Sequence, residues 1–319
     1  MQFRSLGQSD IKISSIIMGT WQAGKKMWAG IDDTETVKAM RAAFDSGITT
    51  FDTATVYGDG HSEQIVGKAL KDVRHEVVLA TKVFANRLKR DQVFESCHQS
   101  LRDLGTDHID LYQIHWPSGS FGGKTVPIEE TLGAMNELRH QGKIRAIGVS
   151  NFSRDQLAEA CQYSEISSLQ PPYSLFWRHV EADTLPYCVE NNITIMAYSS
   201  MAQGFLTGKF GPDHKFAKKD HRSKSKLFKP ENYQRIQAAL TRLRPIAEEN
   251  QVSLGQLALA WVISHPGVCA IAGARNAEQA TQNAKAADVS LADEDLAEID
   301  TIGRTVTDHL DDNPVMWEF

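Results

Sequence analysis

The sequence predicts an α/β fold: a single (β/α)8 TIM barrel over residues 1–319, with an N-terminal β-hairpin and long loops on its C-terminal face. Three observations predict it. Strand-like apolar runs recur near 15–20, 48–52, 77–82, 109–115, 144–149, 167–170, 193–198 and 268–272. Segments with helical spacing separate them, near 33–46, 63–71, 91–104, 128–141, 154–163, 181–191, 233–250 and 254–265. Such regular alternation argues for parallel strands in one sheet. The third observation is chemical: three successive runs end in Asp52, Lys82 and His115, and parallel α/β folds gather their sites at the carboxyl ends of strands.

Length and composition agree with this. The 319 residues would suit one barrel of roughly 250 residues plus inserts, and no linker rich in Gly, Pro or Ser divides the chain. A hydrophobic content of 41% is ordinary for a chain that buries a large core. The net charge of −6 lends no support to nucleic-acid binding. No apolar run reaches the length of a membrane span, and the first residues lack a signal-peptide core, so a cytoplasmic protein is expected. Cys97, Cys161, Cys188 and Cys269 lack paired spacing and read as apolar filler.

Taken in order, residues 3–13 read as a hairpin around Gly7-Gln8-Ser9-Asp10 that plugs one end of the barrel. The first parallel strand follows, then a loop with Trp21 and Trp28, plausible walls of a substrate pocket. Val37, Met40, Ala43 and Phe44 keep helical spacing up to the stop at Gly47. The run at 48–51 ends in Asp52, and Ser62 is positioned to cap a helix from about Glu63 to Leu70. Two stretches break the rhythm. Residues 204–232 form a long loop bearing Lys209, Lys215, Lys218, Lys219, Arg222, Lys224, Lys226 and Lys229, and the tail after Gly303 reads as irregular. Loops this long inside a compact domain are usually lids or disordered.

Motif searching narrows the chemistry. Gly122-Gly123-Lys124-Thr125 lacks the leading glycine of a phosphate-cradling loop, where Ser118 stands instead. After Gly58-Asp59-Gly60, Glu63 replaces the third glycine of a dinucleotide fingerprint, and no zinc spacing occurs, so no metal is expected. Tyr57 lies five residues beyond Asp52. A phenol becomes useful near neutrality when a cation lowers its pKa, and Lys82 is the candidate. Near the carboxyl end, the last strand closes in Gly273-Ala274-Arg275 before a helix beginning by Ala277. Amides at that helix start, with Arg275 beside them, make an anion site where barrels commonly hold phosphate.

Asp52-Thr53-Ala54-Thr55-Val56-Tyr57-Gly58, followed by Lys82 and His115, resembles the signature of the aldo-keto reductases, and the resemblance covers essentially the whole chain. Its wording is most similar to the bacterial branch that also resembles the β subunits of voltage-gated potassium channels. The resemblance implies NADPH/NADP+ as cofactor. The adenosine end would be gripped by Gly273, Arg275, Gln279, Gln282 and Asn283, and the nicotinamide carboxamide by Ser150, Asn151 and Gln170. Tyr198 would stack on the ring. The segment from Gly204 to Lys209 is similar to the family's pyrophosphate-clasping loop, and Thr20, Trp21, Ser199, Met201 and Gln203 would complete the cofactor contacts. Ala272 and Gln282 depart from the family's common proline and glutamate.

The expected activity is reduction of a small aldehyde or ketone, with catalytic Asp52, Tyr57, Lys82 and His115 and a pocket walled by Trp21, Trp28, Phe84, Trp116 and Trp177. A redox-sensing NADP(H)-binding regulatory subunit and a sugar or polyol dehydrogenase are the alternatives. Monomer and weak homo-oligomer both stay open.

Overall fold

The computed structural model describes residues 1–26, 28, 30–216, 220–311 and 313–316. Lys218 and Lys219 of the basic loop, and Asp312 and 317–319 of the tail, lie outside the described residues. Strands β1 (Phe3–Ser5) and β2 (Lys12–Ser14) pair antiparallel as the expected hairpin. Eight parallel strands then close a barrel: β3 (Ile16–Gly19), β4 (Thr50–Asp52), β5 (Val78–Val83), β6 (Ile109–Ile114), β7 (Ile144–Ser150), β8 (Ser168–Gln170), β9 (Thr194–Ala197) and β10 (Val268–Gly273). Closure comes from β10 pairing with β3, Ala270 opposite Ile16 and Gly273 opposite Gly19.

The period of two in each strand sorts side chains into two layers. Ile17, Val78, Ala80, Leu111, Ala146, Met196, Cys269 and Ile271 fill the interior, joined from below by Leu6, Ile11 and Ile13 of the hairpin. The hairpin therefore plugs the amino end, as its apolar residues predict. Gly7 permits this approach. Its φ is +57°, and a Cβ there would stand 2.6 Å from the Ser167 carbonyl oxygen.

Outward-facing strand residues pack under the helices α1 (Asp33–Asp45), α2 (His61–Leu70), α3 (Arg90–Leu104), α4 (Ile128–His140), α5 (Arg154–Ala160), α6 (Thr184–Glu190), α7 (Pro230–Glu249), α8 (Leu254–Ser264), α9 (Ala277–Lys285) and α10 (Asp293–Thr307). Asp32, Ser153, Ser253 and Asn276 cap their helices through side-chain oxygens. Ser62 does not. Gly60, at φ +91°, precedes α2, and Ser62 lies inside the first turn, where its hydroxyl serves another purpose described below.

Two further expectations change. The helix near the carboxyl end runs past Gly303 to Thr307. Gly303 lies inside this helix as a packing site, where a Cβ would come within 2.5 Å of Leu175 Cδ1. The tail beyond it is irregular yet held: Met316 is buried, Trp177 Nε1 donates to the Pro314 carbonyl at 3.3 Å, and Lys226 pairs with Asp311 at 2.6 Å. The basic loop is folded as well, with short 3₁₀ turns at Ala202–Thr207, His221–Lys224 and Lys226–Phe228. Among the described residues, no helix is long and apolar enough to cross a membrane.

Candidate active site

At the carboxyl end the apolar filling of the barrel gives way to polar side chains. Lys82 of β5, fully buried, donates to Asp52 Oδ2 of β4 at 2.7 Å and to the Thr53 carbonyl at 2.7 Å. The other carboxylate oxygen of Asp52 accepts from Gln170 Nε2 at 2.8 Å and Gln113 Nε2 at 3.3 Å. A buried ion pair persists only when its spare valences are satisfied, and here two glutamines from facing strands do so.

Tyr57 lies above this pair. Its hydroxyl stands 3.5 Å from Lys82 Nζ, and the ammonium also lies 5.1 Å from the phenol ring centroid. The loop carrying Tyr57 is clamped by backbone contact. Gly58, at φ +71°, faces Gly24 so closely that a Cβ on Gly58 would meet the Gly24 carbonyl oxygen at 2.3 Å. Ser62 completes the clamp, donating to the Thr20 carbonyl at 2.9 Å and accepting from Thr53 Oγ1 at 2.9 Å. Thr20 Oγ1 in turn donates to the Asp52 carbonyl at 2.9 Å.

Burial, and then the Asp52 carboxylate, push the Tyr57 phenol well above its ordinary range. This reverses the expected direction. Lys82 does not outweigh the two effects, because its charge is already committed to Asp52 at a shorter distance. Tyr57 is thus protonated around neutrality. Burial lowers Lys82 below the usual ammonium value, although its two carboxylate neighbours, Asp52 and Glu63, oppose this. His115 is driven well below the ordinary imidazole range by burial and by Lys82, so the ring is neutral. Its ring meets Tyr57 edge-on, with centroids 5.8 Å apart. Among the described residues its Nδ1 makes no hydrogen bond.

A cavity of about 960 Å³ opens above these groups. Trp21, Trp28, Phe84, Trp116 and Tyr57 line one end of it. Trp21 and Trp28 meet edge-to-face at 5.4 Å, and Phe84 packs edge-on against His115 at 5.6 Å. Trp177 is not among the lining residues. It is fully buried against the tail and carries no part of the pocket.

The cavity continues past Thr20, Ser150, Asn151, Gln170, Tyr198, Ser199, Met201, Gln203, Gly204 and Lys209 to Gly273, Arg275, Gln279, Gln282 and Asn283. Every residue expected from the resemblance to touch a cofactor therefore borders one continuous space. Several are already oriented. Asn151, at φ +61°, donates to Ser150 Oγ at 3.1 Å and accepts from the Tyr198 hydroxyl at 2.9 Å. Asn283 donates to the Gly273 carbonyl at 3.2 Å, and Gln279 Oε1 accepts from the Arg275 amide at 3.0 Å.

At the far end three cations converge. Burial and then Arg222 lower the Arg275 guanidinium, and burial, Arg222 and Arg275 lower Lys209. Arg275 and Arg222 both lie over the Trp28 ring, at 5.3 and 5.6 Å. Asp220 pairs with Arg222 at 2.6 Å and opposes both shifts, but one carboxylate among three cations leaves a surplus of positive charge that fits a phosphorylated ligand. Arg222 and Lys224 line the cavity, although on sequence they belonged to an undifferentiated charge run. Gln113 and Phe121 were also missed. Gln113 has an inward position on an apolar strand that a strict period-two reading flags. Phe121, at φ +57°, stacks on Phe84 at 5.7 Å and lines the mouth, and the glycine-rich stretch around it gave no signal.

A barrel with a lysine–carboxylate pair beneath a phenol, opening on a long cleft that ends in cations, suits a nicotinamide-dependent oxidoreductase. The profile of the Aldo/keto reductase family matches residues 15–304, and the chain belongs to that family. It is 40% identical over 314 residues to an aldo-keto reductase of Bacillus subtilis, covering 95% of this chain and 93% of that one. It is 34% identical to the NADH-specific methylglyoxal reductase of Escherichia coli, covering 91% and 94%. The solved glycerol dehydrogenase of Gluconobacter oxydans superposes with a TM-score of 0.88 at 35% identity, covering 97% of each chain.

Proposed function

We propose that this enzyme reduces small aldehydes or ketones to alcohols, with NADPH as cofactor and Tyr57 as general acid. The observation that carries the reading is the Lys82–Asp52 pair, 2.7 Å apart and buried directly beneath the phenol. NADPH, when bound, supplies the hydride. The chain's residues do the rest. Tyr57, protonated around neutrality, donates to the carbonyl oxygen as negative charge develops there. Lys82 balances the phenolate left behind, in a site where burial strengthens the interaction. Asp52 holds the ammonium in place. Neutral His115 directs the carbonyl oxygen towards the phenol. Trp21, Trp28, Phe84 and Trp116 exclude water and favour a partly apolar substrate. Oxidation of reduced cofactor, followed over a panel of aldehydes, ketones and polyols, tests the reading; turnover of none of the carbonyls would remove it.

The likeness to a glycerol dehydrogenase favours one second reading, oxidation of a polyol at the same site. That direction needs Tyr57 as a base. With the phenol raised above its ordinary value, the base form is scarce around neutrality. Oxidation should then gain on reduction as the medium becomes alkaline, which paired initial rates across pH will reveal.

Cofactor choice follows from charge. Arg275 offers a bidentate partner to a ribose phosphate, and no acid lies within 273–277 to favour an unphosphorylated ribose. Arg275→Ala should weaken NADPH by about 1.5 kcal/mol, on the order of tenfold, because Arg275, though partly desolvated in the cleft, is exposed as a residue and screened towards the low end for a charged hydrogen bond. NADH affinity should barely move. Dissociation constants by fluorescence titration decide this, and equal losses for both cofactors would mean that Arg275 does not read the phosphate. The NADH-specific relative makes the comparison worth running on the wild type first.

A further inference from the structure

One buried carboxyl group is used by none of the steps above. Glu63, in the first turn of α2, is fully buried. Its Oε1 accepts from Thr81 Oγ1 at 2.6 Å. Thr81 immediately precedes Lys82 on β5, and α2 is the helix into which the Tyr57 loop runs. This single contact therefore joins the element that aims the phenol to the strand that carries the ammonium. The remaining oxygen, Glu63 Oε2, makes no hydrogen bond among the described residues, and neither do the buried Ser100 Oγ of α3 and Tyr112 hydroxyl of β6. Ser100 faces the carboxyl and favours its charged form, but stands outside hydrogen-bond geometry.

We propose that Glu63 is a positioning residue for proton transfer: through Thr81 it fixes the Tyr57–Lys82 contact, and its ionisation modulates that contact from behind the strand. This deepens the proposed function and rests on Tyr57 being the proton donor. The titratable groups whose charge reaches Glu63 or feels it are Lys82 of β5, Asp103 and Cys97 of α3, and Tyr112 of β6. Burial is the largest influence and raises the carboxyl to about 7, with Asp103 adding to the rise while Thr81, Ser100 and Lys82 oppose it. Below that value the neutral acid holds Thr81 and leaves Asp52 as the lone carboxylate facing Lys82. Above it a second negative charge appears behind Lys82. That charge strengthens the hold on the ammonium and disfavours a phenolate beside it, so reduction should slow.

Three measurements test this. Wild-type turnover should fall on the order of three- to tenfold as pH rises through about 7, the equivalent of half to one unit of phenol acidity. Glu63→Gln keeps the acceptor for Thr81 and cannot ionise. It should match wild type at pH 6 and lose the inflection. Thr81→Val, isosteric and compatible with a strand, should lower turnover at every pH with little change in KM. An infrared titration gives a readout independent of activity: a protonated-carboxyl stretch with a midpoint near 7, absent in Glu63→Gln.

Stability supplies a further check. The folded value lies above the ordinary 4.5, so the native state binds the extra proton between 4.5 and about 7, and stability is lost as pH rises through that window. Glu63→Gln should therefore melt higher than wild type at pH 8. An unchanged inflection in Glu63→Gln, or a carboxyl band that titrates near 4.5, overturns the proposal. If Tyr57→Phe abolishes turnover while Glu63→Gln keeps the wild-type profile, only the role of Glu63 fails. If Tyr57→Phe remains active, the general-acid reading itself fails.

Discussion

Tyr57→Phe should lower the rate of carbonyl reduction by about 10²-fold or more while the protein folds normally and binds cofactor as before, since general acid catalysis contributes on that scale. The structure isolates the hydroxyl unusually well. The ring keeps its contacts in the variant: it lies 6.3 Å from Trp21 and 5.8 Å from His115, centroid to centroid. Among the described residues, the only hydrogen-bond contact of the hydroxyl is Lys82 Nζ at 3.5 Å, so its loss leaves no tightly held partner behind. The ammonium retains Asp52 and the Thr53 carbonyl, each at 2.7 Å. Pre-steady-state rates with a good aldehyde, together with cofactor titrations, separate chemistry from binding. A near wild-type chemical step would transfer the donor's role elsewhere, with His115 the first place to look.

Much of the site was legible because strand ends concentrate chemistry. Asp52, Lys82 and His115 each close an apolar run, and a polar side chain at that point of a parallel barrel faces the cleft. The balance of forces among them was not legible. On sequence, Lys82 beside Tyr57 suggested a lowered phenol. The folded chain commits Lys82 to Asp52 and buries the phenol, which gives the opposite direction. That outcome depends on distances between strands and on burial, neither of which periodicity encodes. Gly303 and Trp177 misled for a related reason. With no helix expected around it, Gly303 read as the start of an irregular tail, and a tryptophan after a strand resembles a pocket wall. Their actual partners, Leu175 and Pro314, are separated from them by more than a hundred residues. Arg222 was hidden in a charge run whose usual meaning is a solvated surface, and only the folded loop brings it over Trp28 beside Arg275.

Lys82→Met carries the second large effect, and it acts on rate and stability together. Removing a preorganised charge next to developing charge typically costs 10²–10³-fold, and turnover near neutrality should fall by about that much. Burial and Asp52 would then act on the phenol unopposed, raising it further. Besides the fall assigned to Glu63, wild-type turnover should drop as Lys82 loses its proton, below the ordinary ammonium value because burial lowers it; that second fall should vanish in the variant. Stability should also fall. Asp52 would be left buried, with Gln113 and Gln170 as donors and no counter-charge, and breaking a buried pair on one side costs about 3–5 kcal/mol. A second substitution separates the two consequences. Asp52→Asn added to Lys82→Met removes the stranded charge, so chemical denaturation should show most of the lost stability returning. Turnover should stay low, because the phenolate still lacks its cation. Recovery of both stability and turnover in the double variant would mean that Lys82 serves the fold, and that the proton leaves Tyr57 without its help.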